Sequence, residues 1–245
     1  KIEKYFEQFS ILVFENNSTD STKKVLSELK QKYSFFNYIS NDFSDTEIKQ
    51  IATAQHKSGT PCRIELISYA RNILLKKVKD EYAEYQYTLV IDLDLAFFNP
   101  YKIVKIIQKY GKTNFDMISA NGLTKKLVYR DAFAFRTLIH PLGPEFIDGY
   151  WWSNVVYQIQ TRLRGKQLLP VLSAFGGAAI YKTKAYISSE YSALPTPQYA
   201  LIHSNINFSL VNSTELSQAA TLPQPNTNYN KPIICEHVPF HYGMI

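Results

Sequence analysis

From residue 10 to residue 120 the chain alternates short apolar runs with longer amphipathic stretches, a rhythm that few folds accommodate. In FSILVFENNSTDSTKKVLSELKQKY, Ile11 to Phe14 reads as a buried strand, followed by a polar loop and a helix with Ser18, Thr19 or Asp20 as N-cap. SFFNYIS predicts a second strand. PCRIELISYARNILLKKVKDEY predicts a helix whose start is marked by Pro61 and whose Ile64, Ile67, Leu74, Leu75 and Val78 share one broad face. YTLVIDLD is a third strand, Tyr101 to Tyr110 a helix and FDMISA a further strand. Such alternation predicts an α/β fold, a mostly parallel central sheet flanked by helices. Ligands of such sheets bind at the carboxyl ends of the strands. ENNSTDST lies at one such end, and Asp92 and Asp94 lie at another.

The second half is less regular. YWWSNVVYQIQTRLRG predicts a helix, LLPVLSAFGGAAIYK a strand, turn and strand around Gly176 and Gly177, and TLPQPNTNYNKP a surface loop. At 245 residues the expectation is one domain, 1–245. A hydrophobic share of 45% against 20% charged residues excludes disorder over most of the length. The excess of 27 Lys and Arg over 21 Asp and Glu favours anionic ligands or anionic lipid surfaces, so peripheral membrane association is compatible with it. Nucleic acid is not an expected partner, because Lys23–Lys24, Lys76–Lys77, Lys125–Lys126 and Arg162, Arg164, Lys166 are scattered groups and form no basic arm.

Cys62 and Cys235 are too few for a disulfide scaffold and match no zinc spacing; they form one bridge or remain two buried thiols. No run approaches the roughly 20 apolar residues of a membrane span, and no signal-peptide pattern opens the chain. The opening at Lys1, close to the first strand, reads as a trimmed chain from which an anchor or further domain could have been removed. Asn16, Asn17, Asn207 and Asn212 sit in glycosylation sequons. A glycan on Asn16 or Asn17 would block a ligand loop, so a cytoplasmic, cytosol-facing location is expected, with a Golgi-type lumen as the alternative for an anchored form.

YTLVIDLDLAFFNP places two carboxylates one residue apart in an apolar segment. In an extended backbone Asp92 and Asp94 point to one side while Leu93 and Leu95 pack into the core. Two like charges held that close repel unless a cation intervenes, and a hard divalent ion takes oxygen ligands from carboxylates and phosphates. The plainer alternative is that one Asp caps the following turn and the other is exposed.

The ordered set LVFENNSTDST, YARNILL, LVIDLDLAF, MISANGL with YRDAFAFR, FGGAAIYK and CEHVPFH resembles the GT-A class of nucleotide-sugar glycosyltransferases, and more narrowly the fungal capsule-associated alpha-1,3-mannosyltransferase family. The acidic site of that narrower family is not always a strict Asp-x-Asp, so the pair carries over from the wider class. The resemblance implies a single GT-A (Rossmann-like) domain, 1–120 its nucleotide-binding half and 121–245 its acceptor and sugar half. It implies transfer of a hexosyl unit from a GDP- or UDP-hexose to a carbohydrate hydroxyl, with Mn2+ or Mg2+ as cofactor.

By the same resemblance Glu15, Asn16, Asn17 and Asp20 lie near base or ribose, with a capped helix start as the alternative for Asp20. Arg71 and Asn72 look like helix residues that meet the donor near its phosphates, where a guanidinium fork suits a diphosphate. Asp94 is expected on the metal and Asp92 on metal or ribose. His237 is the expected further metal ligand and His241 the reserve; Pro239 between them argues against a regular helix there. Gly176 and Gly177 permit close approach to a sugar ring, or form a plain turn. Asp131 and Arg136 match a motif near the sugar, and Trp151 and Trp152 offer an acceptor platform or core packing. Relatives retain anomeric configuration; were the reaction inverting, Asp131 or Asp148 would be the base. A pyrophosphorylase would need a Gly-rich phosphate loop after the first strand, and a haloacid-type phosphatase a Thr or Val after the second Asp; neither is present. A catalytically silent glycan- or nucleotide-sugar-binding module remains the rival from another class.

Overall fold

The computed structural model describes residues 5–124, 131–147, 149–163, 168–211, 213 and 228–245, without the side chains of Tyr150, Trp151, Arg162, Leu163 and Phe208. Asp148, the sequon at Asn212 and the Trp151 ring therefore lie outside what is described. The first half folds into β1 (Ile11–Glu15), α1 (Thr22–Lys32), β2 (Phe36–Ser40), α2 (Asp45–Ile51), α3 (Arg63–Glu81), β3 (Tyr87–Ile91), α4 (Pro100–Tyr110) and β4 (Met117–Ser119); all but the short α2, which the sequence reading did not predict, follow its periodicity. Local chemistry sets the boundaries. Ser44 and Glu47 close a reciprocal capping box on α2, and Asn99 accepts from the Tyr101 N–H just ahead of Pro100 at the start of α4. The N-cap of α1 is Ser21, one residue beyond the expected Ser18–Asp20 window, and it makes no side-chain cap bond.

The second half supplies α5 (Gly149–Leu163), β5 (Ala178–Lys182), α6 (Thr183–Tyr186), α7 (Pro197–Ser204) and α8 (His237–Tyr242). Of the strand, turn and strand expected around the glycines, only the second strand forms; before the turn, Ser173 makes an isolated bridge to Arg136. Pro239 does not prevent α8, because it falls in the first turn, where no intrahelical partner awaits its missing N–H.

The fold is mixed α/β, but its sheets correct the expectation of a mostly parallel one. β1 and β2 pair in parallel, whereas β3, β5 and β4 form a three-stranded sheet in that order, antiparallel at both ladders. β3 and β4 run the same way, as a strand–helix–strand crossover requires, yet β5 is inserted between them. β5 is buried along Ala178 to Tyr181 and anchors a core of Leu75, Phe175, Tyr186, Tyr191 and Phe240, in which Tyr191 lies flat on Phe240 at 3.9 Å. A second cluster gathers Phe135, Ile147, Trp152 and Val156, so Trp152 is a core residue, its indole N–H donated to the Ala132 carbonyl at 2.9 Å. Both cysteines are free thiols. Among the described residues no helix is long and apolar enough to cross a membrane.

Candidate active site

β3 ends at Ile91, and the Asp92 N–H extends its ladder by donating to the Gly177 carbonyl at 3.0 Å. The chain then turns. Leu93 is 77% exposed, so the pair is not set on one face by strand alternation with Leu93 in the core, as the sequence suggested. Asp92 instead finds a cation in the protein: Arg71 Nη2 donates to its Oδ1 at 3.0 Å.

Arg71 sits on α3 and is shared. Its Nε donates to Glu236 Oε1 at 3.2 Å, and its guanidinium lies over the rings of Phe175 and Tyr191, at 5.1 and 5.6 Å. Burial works against its charge, but Tyr191, Glu236 and Asp92 outweigh that and hold the guanidinium firmly protonated. Asn72, next along α3, spends its amide on the backbone of Tyr191, accepting from its N–H and donating to its carbonyl, both at 2.8 Å. It thereby fixes the ring under Arg71.

His237 opens α8 and is 1% exposed, stacked on Phe175 at 3.9 Å with Tyr191 edge-on at 5.6 Å. Neither ring nitrogen has a hydrogen-bond partner among the described residues; the nearest acid is Glu236 Oε1, 3.6 Å from Nε2. Burial, with Arg71 and His241 nearby, drives its pKa well below the ordinary value, so the imidazole is neutral. His241 differs. Its Nδ1 meets Ser173 Oγ and its Nε2 meets Tyr181 OH, both at 2.9 Å, leaving no nitrogen to offer, and burial beside Arg71 lowers its pKa to about 3.

Gly176 and Gly177 have φ of 65° and 86°. A Cβ on Gly176 would strike the Ala120 carbonyl, and one on Gly122 the Gly176 carbonyl, so this close approach is to the protein's own backbone. It locks the turn that carries Phe175 and the Gly177 carbonyl against β4 and β3.

The loop after β1 is tied to the loop after β2. Glu15 accepts from the Ser18 N–H at 2.7 Å and Ser40 Oγ at 2.5 Å; burial opposes its ionisation, but these bonds outweigh it and hold the pKa below the usual range. Asn17, at φ 56°, donates its side-chain amide to the Phe43 carbonyl and accepts from the Phe43 N–H, while exposed Asn16 donates to Asn17 Oδ1. Asp20, one residue ahead of the N-cap Ser21, accepts from the Thr22 N–H at 2.9 Å.

Asp131 holds a left-handed φ of 61° ahead of a single 3-10 turn, Ala132–Ala134, and its charge is felt at Tyr181 and Cys235. Arg136 is fully buried and bonds both oxygens of Glu145, at 2.6 and 2.8 Å.

The structure thus brings Asp92, Arg71, Gly177 and His237 into one network; Asn72 supports it, and Glu15 to Asp20 lie in the separate β1–β2 loops. Sequence reasoning missed Glu236, Phe175 and Tyr191. Glu236 and Phe175 stood inside quoted motifs, whereas nothing local marked Tyr191. A neutral buried imidazole with unpartnered nitrogens stands beside carboxylates that outnumber the guanidinium, donor chemistry of the kind that a divalent cation takes. Among the described residues, no three His, Cys, Asp or Glu converge as a ready-made cage.

The profile of the family described as Cryptococcal mannosyltransferase 1 matches residues 6–221. No curated protein and no solved structure matches the chain.

Proposed function

We propose a specific reaction for this chain, which belongs to the Cryptococcal mannosyltransferase 1 family and is therefore a glycosyltransferase of the hexosyltransferase kind: transfer of a hexosyl unit from a GDP- or UDP-hexose to a carbohydrate hydroxyl in a GT-A type site. The observation that carries the metal-dependent form of this reading is His237, neutral, buried and unpartnered beside the Asp92–Arg71–Glu236 network.

Asp92, Asp94 and His237 would hold Mn2+ or Mg2+. Bound there, the ion supplies positive charge to a departing nucleoside diphosphate. Arg71, locked in its charged form, meets the diphosphate from α3, and Asn72 keeps the ring beneath it in place. Glu15, Asn16 and Asn17 face the nucleoside, and the Gly176–Gly177 turn borders the sugar. In a retaining course the leaving phosphate takes the acceptor's proton; in an inverting course a carboxylate takes it, with Asp131 or Asp148 in that role.

Release and transfer of sugar from GDP- and UDP-hexoses, followed with and without manganese, tests the reading. Asp94→Ala is expected to abolish metal-dependent turnover in a protein that still unfolds cooperatively. Full turnover by that variant in excess chelator would refute the metal assignment. If no donor is turned over under any metal condition, the chain is a binding module instead.

A further inference from the structure

We propose that the outward face of α4, with the loop that precedes it, docks on an anionic phospholipid surface. The inference is independent of the reaction assigned above. From Leu95 to Phe115 the sequence holds four lysines and no acidic residue. Lys102, Lys105 and Lys109 are spaced three and four apart, so they share one helix face, and each is exposed. The opposite side of α4 is turned inward through Val104. Lys112 follows in the next turn, and Lys182 extends the positive surface, its Nζ donating to the Thr113 carbonyl at 3.0 Å. None of the four lysines from 102 to 112 forms an ion pair with another described residue, so their charge is available.

A basic face alone would suit any polyanion. The choice of lipid comes from the loop ahead of the helix and its first turn, where Phe97 is 81% exposed, Leu93 77% and Tyr101 40%. Large apolar side chains beside a lysine stripe match a bilayer, which offers anionic headgroups and an apolar bed together, with tyrosine suited to the boundary. A soluble polyanion offers only the first. Because Asp94 lies between Leu93 and Phe97 in the chain, docking sets that loop at the lipid surface.

The test is co-sedimentation of the full chain with phosphatidylcholine vesicles, with and without phosphatidylserine, across a salt series. Binding is expected only with phosphatidylserine, falling as salt rises. Loss of each lysine should cost about fivefold in partitioning at low salt, so Lys102→Glu/Lys105→Glu/Lys109→Glu should abolish it. Leu93→Ser/Phe97→Ser should weaken what binding survives at higher salt. Thermal unfolding confirms that both variants are folded, as substitutions of exposed side chains should be. Equal binding to the two vesicle types, no binding to either, or undiminished binding by the lysine variant overturns the proposal. So does binding to soluble polyphosphate as tight as to vesicles and indifferent to Leu93 and Phe97, which would make the face a polyanion site.

Discussion

Arg136 and Arg71 both lie over aromatic rings and both face carboxylates, but only the first is sealed. Arg136 is 0% exposed, gives Nη2 to both oxygens of Glu145 and Nη1 to the carbonyls of Phe133 and Phe135, and lies over Trp152 at 5.4 Å. Its terminal nitrogens are committed to the protein. Arg71 gives one nitrogen to each of two carboxylates, one just past β3 and one at the N-cap of α8, and keeps 17% of its side chain exposed. Beside it stands an imidazole with nothing to bond. Similar chemistry thus closes a core in one place and stays open to solvent in the other; because Arg136 Nε also lacks a partner among the described residues, the difference lies in exposure and in one carboxylate held against two shared, and not in a full set of bonds.

If that contrast is right, the largest effect belongs to Arg136→Ala, which strands Glu145 in the interior. A loss of about 3–5 kcal/mol is expected in denaturant unfolding, and a loss below about 1 kcal/mol would show that water reaches the pair. Arg71→Ala should perturb stability less and binding more: affinity for GDP or UDP should fall by the equivalent of about 1.5–3 kcal/mol, with affinity for the bare nucleosides preserved. Equal losses by calorimetry would remove Arg71 from the phosphates.

The next test is pH. His241 and His237 have pKa values in the fold below the unfolded 6.5, so their contribution to stability is fully present above that pH and is lost as pH falls, because only the unfolded chain takes up the protons. Each should cost about 1.4 kcal/mol per pH unit below 6.5, for His241 until about pH 3. His241→Asn should flatten that slope between pH 6.5 and 5, and an unchanged slope would refute burial as its cause. Smallest is Asn72→Ala, with about 1 kcal/mol lost from its pair of bonds to Tyr191 and a modest fall in nucleotide affinity. A fall as large as that of Arg71→Ala would mean that Asn72 meets the donor itself.

What the sequence made legible followed the range of the forces involved. α3, α4 and the strands of the first half are set by patterns a few residues long, and all were readable. The direction of β5 was not, because it depends on ladders to Tyr87–Ile91 and Met117–Ser119, far away along the chain. The carboxylate pair was recognised as needing a cation, yet the one the fold supplies to Asp92 stands 21 residues upstream, and Glu236 joins from 165 residues beyond Arg71. No local period records such a meeting. Pro239 was misread for a different reason: the breaker rule applies to helix interiors, and α8 places it before the interior begins.

Tyr191 is at once the partner clamped by Asn72, the floor beneath Arg71, the edge against His237 and the slab on Phe240. Such multiple duty makes its neighbourhood epistatic: exchanges imported from a relative one at a time should each do harm, and the same exchanges at Asn72, Tyr191 and Phe240 made together should do less than their sum. Divergence within this family would then proceed there in correlated sets, with ligand preference and core packing drifting as a unit.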